Sequence, residues 1–275
     1  MDGCVALADT GPGRHRWLVS RCSVDLESNG DAVLSAIVRR ARQSYGEQLL
    51  DSLPEPDGGV AALFDLGALR QAIRAGMPDP EVELGKPSSF RNYRSEAAEL
   101  IAQEVLADVY QVQFPAGPQA TKGNANQPVL GFDGWGLLDL DDGAVALVLV
   151  QVKASDHDQR PPDVSKALVD ECCRVPREPD KLCRALTAML ALLHTTAFAP
   201  TLLAMLEALG RESLPPLVVC PVIVRGVVAA HLDDLASLRV AQSRFEPAQT
   251  RGLCVSVGAP LERFGHRVFS EARKA

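Results

Sequence analysis

The sequence predicts an α/β fold, a mixed central sheet flanked by helices. Three observations predict it. Ala98, Ile101, Ala102, Val105 and Leu106 recur at helical spacing, and Tyr110, Val112 and Phe114 then alternate, so the period switches from helix to strand. The run from Ala144 to Lys153, AVALVLVQVK, is almost continuously apolar, as in a strand covered on both faces. The chain has 275 residues, 47% of them hydrophobic, which is enough for one full core or a core with a small appendage.

The elements follow in order. Residues 14 to 26 predict an early strand, with Trp17, Val19 and Val24 as its apolar positions. Ala32 to Leu50 predicts a helix with Val33, Ile37, Val38 and Ala41 along one stripe. A turn over 54 to 59 precedes a helical stretch from Val60 to Ala75. Gly76 to Ser89, rich in Pro, Gly and acid, reads as a link, so residues 1–87 are expected to form an accessory region and 88–275 the main domain. Within the main domain, the polar loop 115 to 128 leads to two strands, Val129 to Leu140 and Ala144 to Lys153, around the turn Asp141-Asp142-Gly143. Asp163 is placed to cap a helix reaching Arg174, and Pro179 suits the first turn of a helix through Leu193. Thr201 to Leu209 predicts another helix. Strands at Leu217 to Val224 and Leu253 to Val257, and helices near Asp233 to Leu238 and Leu261 to Ala272, complete the pattern.

Composition excludes some classes. A net charge of -7 argues against coating nucleic acid by bulk electrostatics, but leaves room for a local basic groove. The seven cysteines contain no CxxC pair, which removes the spacing a structural zinc needs. They are expected to be buried, reduced thiols. The most apolar stretch, Leu186 to Leu209, holds His194, Pro200 and Glu207 and reads as two buried helices, not a membrane span. The first 17 residues lack an apolar core after a basic start, so a cytoplasmic protein is expected. A GxSxG elbow, a Walker A loop and a GxGxxG after a strand are all absent, which leaves triad hydrolases, nucleotide motors and dinucleotide enzymes without support.

One constellation carries chemistry. Gly131-Phe132-Asp133 places a carboxylate among small residues, and Gln151 and Lys153 end the apolar strand on one face. If the two strands form a hairpin, all three groups meet at one end of the sheet. Phosphodiester cleavage needs such a set: a carboxylate for a hard divalent ion, and a lysine to orient water or stabilise the pentavalent state. A second acid on the preceding helix would complete it.

With Ala98-Glu99-Leu100-Ile101, Gly131-Phe132-Asp133 and Gln151-Val152-Lys153 in this order, residues 88 to 195 resemble the PD-(D/E)XK nuclease superfamily, and in particular nuclease subunits of bacterial anti-phage systems such as Hachiman. The resemblance implies a restriction-endonuclease-like core, DNA as substrate, Mg²⁺ or Mn²⁺ as cofactor and a helicase as partner. It implies Asp133 as metal ligand, Gln151 at the second ligand position, Lys153 as the catalytic lysine and Glu99 as the helical acid. Glu96, one turn away, and Glu104 are alternatives to Glu99. Gln151 departs from the commoner carboxylate and weakens the site's negative charge.

Phosphate contacts are expected from Arg91 and Arg94 before the motif helix, Lys122 in the polar loop, and Lys181 and Arg184 three apart on a later helix. Lys166 and Arg174 lie on the helix before it. Trp135 is a core residue or a base-stacking platform, His157 a loop residue near the strand end, and His194 a core residue. The rival expectation is a non-catalytic subunit on the same fold, serving as scaffold or DNA reader.

Overall fold

The computed structural model describes residues 3–28, 30–47, 50, 65–115 and 132–274. The elements run β1 (Cys4–Asp9), β2 (His15–Cys22), α1 (Ala32–Ser44), α2 (Leu66–Ala75), a short α3 (Pro80–Glu83), α4 (Asn92–Tyr110), β3 (Gly134–Asp139) and β4 (Val145–Ser155). They continue with α5 (Ser165–Arg174), α6 (Pro179–Leu193), α7 (Ala199–Gly210), β5 (Leu217–Arg225), a short α8 (Ala236–Val240), β6 (Gln249–Ser256) and α9 (Leu261–Arg273). The fold is α/β, as expected.

Six strands form one mixed sheet in the order β1-β2-β6-β5-β4-β3. The two outer pairs are antiparallel and the three inner pairings are parallel. The inner strands are buried on both faces, which is why β4 and β5 read as unbroken apolar runs. Side chains alternate across the sheet. On β4, Ala146, Val148, Val150 and Val152 face a core shared with α1, α4 and α9. Leu147 and Leu149 face a second core with α5, α6 and α7. Gln151 and Lys153 continue that second face.

The expected boundary at 87/88 does not divide the sheet. β2 pairs with β6 in parallel register from His15↔Thr250 to Arg21↔Ser256, and Arg42 of α1 donates to the carbonyls of Glu271, Ala272 and Lys274 at the end of α9. Close approach fixes this join. A Cβ at Gly252 would stand 2.1 Å from the Trp17 ring, so only glycine lets the indole lie against β6.

Four local expectations differ. The expected early strand is β2, which stops at Cys22 short of Val24, and a further strand, β1, precedes it and pairs with it antiparallel. Cys4 and Cys22 are register partners across that pair and are joined by a disulfide, so these two are not reduced thiols. Tyr110 ends α4 instead of opening a strand: Gln111 takes a left-handed φ of 60° and stops the helix, and the alternation that follows yields a single bridge, Gln113↔Leu137. Asp163 accepts from Val164 N–H one residue on and lies outside the start of α5, whose cap is Val164. The turn at 54 to 59 and the loop residues 116 to 128 lie outside the described residues.

Candidate functional site

The site is built on the β3–β4 hairpin. The register Gly134↔Val150 sets Asp133 just beyond the first β3 residue. Its N–H donates to Val150 O at 3.1 Å, and its Oδ2 accepts the Val152 N–H at 2.7 Å. The carboxylate thus takes the ladder donor that the departing strand would have met. Ladder bonds lie in the plane of a sheet, so this one holds the carboxylate in that plane, between Gln151 and Lys153.

Gln151 is buried and points to the α5 face. Lys153, two residues on, shares that face and reaches the mouth of the site. Its Nζ stands 2.8 Å from Glu171 Oε1 of α5, with about a third of each side chain exposed. Cys172, next to Glu171, is fully buried and its thiol is held well above the ordinary range, first by burial and then by the charges of Glu171 and Asp133 among its neighbours. The structure brings Asp133, Gln151, Lys153 and Glu171 together.

No family model matches this chain, and no curated protein matches it.

The acid against Lys153 is Glu171 of α5, and the expected helical acids, proposed to complete a metal shell, lie elsewhere. Glu96 is buried, and its Oε2 accepts the Tyr45 hydroxyl at 2.7 Å between α1 and α4. Tyr45 is pushed far above its usual range by burial first, then by Glu96 and Glu99. Both glutamates belong to α4, which packs on the face opposite the Gln151 and Lys153 side chains. Glu104 stands 3.3 Å from Arg40. Gln103 of α4 also reaches the hairpin, with its Nε2 3.1 Å from where a Gly134 Cβ would be.

The expected basic contacts divide. Arg91 is committed to Glu262 and to the carbonyls of Lys86 and Leu84. Arg94 stands 3.5 Å from Asp156. Both line a cleft of about 440 Å³ at the carboxyl end of β4, with Ser155 and His157. Lys181 and Arg184 are exposed on α6, with Lys181 2.7 Å from Glu178. Lys166 and Arg174 are exposed on α5. Lys122 lies outside the described residues. Trp135 is a buried residue of the second core. His157 is exposed in the loop after β4. His194 is exposed at the end of α6, not buried, with Nδ1 3.0 Å from Ala191 O.

Sequence reasoning missed Glu171. The stretch VDECCR carries no signal for it beyond a polar position on an amphipathic helix, and the helix must pack before that position meets Lys153. Among the described residues, no three His, Cys, Asp or Glu side chains are grouped to hold a metal ion, and no helix is long and apolar enough to cross a membrane.

Proposed function

We propose that the chain is a Mg²⁺-dependent nuclease of the PD-(D/E)XK type that cleaves DNA, the effector subunit of a bacterial anti-phage system. One observation carries the proposal. The Asp133 carboxylate is bonded to the N–H of Val152, the residue between Gln151 and Lys153. That bond puts the carboxylate beside the two β4 residues that carry the amide and the ammonium group, which supports the reading.

The donor set fits Mg²⁺, which takes oxygen ligands and is held by one or two carboxylates with the rest of its shell as water. Asp133 and the Gln151 amide oxygen would hold it, and a group of three acids is not required. When bound, the ion lowers the pKa of its water and neutralises charge at the phosphate. The protein's own residues supply the rest. Backbone bonds fix the Asp133 carboxylate before substrate arrives, so no reorganisation is needed during reaction. Lys153 presents a charged donor to a phosphate oxygen as negative charge builds there. Glu171 orients that ammonium until the phosphate takes its place. The chain carries no nucleotide-motor motif, so unwinding of duplex DNA falls to a separate helicase.

The test is plasmid degradation with Mg²⁺, run with and without the helicase partner. Wild type should degrade DNA under at least one of these conditions, and Lys153→Ala should reduce the rate by about 10²-fold or more, the scale of losing one charged transition-state contact. Equal rates for the two proteins would reject the proposal. A second reading has its own support: Gln151 is neutral and Lys153 is already paired with Glu171. A scaffold subunit of this kind predicts no metal-dependent cleavage under any condition, with normal DNA or partner binding after Asp133→Ala.

A further inference from the structure

Gln103 is the most unusual side chain near the hairpin. It lies inside α4 with 1% of its surface exposed, and neither its Nε2 nor its Oε1 has a hydrogen-bond partner. A buried amide left unbonded at both ends is costly, and an apolar side chain of the same shape would serve packing better. Its location is specific. The amide fills the notch that Gly134 leaves by having no side chain, 3.1 Å from the missing Cβ and beside Val150, whose carbonyl accepts the Asp133 N–H. Asp133 is the neighbouring residue. Because its carboxylate is held in the sheet plane, it is approachable from both faces, by Gln151 and Lys153 from one side and by Gln103 from the other.

We infer that Gln103 is a positioning residue for the Asp133 carboxylate, donating an N–H to it when a divalent cation occupies the site. The inference rests on the nuclease reading above. Groups that hydrogen-bond a metal's ligands orient them and raise metal affinity, commonly by 10- to 100-fold. The last torsion of a glutamine side chain is broad, so the amide can turn toward the carboxylate at little cost. Gly134 keeps the space for that turn. The cost of the unbonded amide is the mark of a group retained for a bound state.

The test is Mn²⁺ binding, followed by the electron paramagnetic resonance signal of the free ion, on wild type, Asp133→Ala and Gln103→Met, with melting temperatures measured alongside. Gln103→Met should bind Mn²⁺ about tenfold more weakly or worse, and yet melt at a higher temperature than wild type. That opposition separates positioning from support of the fold, since a merely structural glutamine would lower both. Gln103→Leu gives the same readout should the Met variant not fold. If Asp133→Ala loses Mn²⁺ while the Gln103 variant binds as wild type, or binds less only because it melts lower, this inference is overturned and the nuclease reading stands. If wild type itself does not bind Mn²⁺, or Asp133→Ala binds as well as wild type, both fall together.

Discussion

Asp133 is oriented by the backbone. Two of its bonds are to main-chain groups of β4, which move only if the hairpin moves. Lys153 is held differently, by a partly exposed side-chain pair with Glu171 that solvent screens and that exchanges easily for a phosphate. A fixed ligand beside an exchangeable cation is what the proposed chemistry uses. Gln151 is the weak point, because an amide brings no charge to a cation. Gln151→Glu should therefore tighten Mn²⁺ binding by about tenfold, roughly 1.4 kcal/mol, readable by titration calorimetry. Weaker or unchanged binding would mean that residue 151 does not face the ion. The residues of this site could be read from the sequence only in part. Asp133, Gln151 and Lys153 stand out because a strand pattern and a turn place them. Glu171 and Gln103 do not, because their nearness to the hairpin exists only once α5 and α4 have packed on opposite faces.

At the level of elements, the hairpin was readable because two local signals agree: a turn at Asp141-Asp142-Gly143 and strands with distinct apolar patterns. β1 was not. Its CVALAD sequence forms an edge strand with Val5 and Leu7 exposed, so burial leaves no alternating trace. The Tyr110, Val112 and Phe114 alternation misled because α4 continues until Gln111, and Tyr110 turns its hydroxyl to Gly252 O at 2.9 Å. The parallel pairing of β2 with β6 joins residues more than two hundred positions apart and has no local signature. Gly252 is its pivot. Gly252→Ala would press a methyl group into the Trp17 ring and should destabilise the protein by about 1–3 kcal/mol in urea unfolding, the usual cost of overpacking. A variant as stable as wild type would show that the indole has another place to go.

Across the whole molecule, the sheet ties both ends of the chain to the site. β6 stands between β2 and β5, and β5 borders β4 along the full length that carries Gln151 and Lys153. The N-terminal strands are therefore part of the body that supports the hairpin. The same close burial sets the alkaline limit of the fold. Burial pushes the Cys220 thiol up to about 12 from 9.0, and burial together with a bond to Glu262 pushes the Tyr93 hydroxyl up to about 12 from 10.0. The native state keeps these protons where the unfolded chain releases them, so their contribution is whole below pH 9 and is lost as pH rises toward 12. Melting temperature should fall steadily from pH 9 upward. A flat profile to pH 11 would show that neither group is held this way.

The most direct measurement is anomalous X-ray scattering from crystals soaked in Mn²⁺. A peak about 2.1 Å from an Asp133 carboxylate oxygen, with the Gln151 amide oxygen in the same shell and Lys153 facing the coordinated water, is the expected result. Strong Mn²⁺ peaks elsewhere on the protein with none at Asp133, at concentrations that support DNA cleavage, would contradict it.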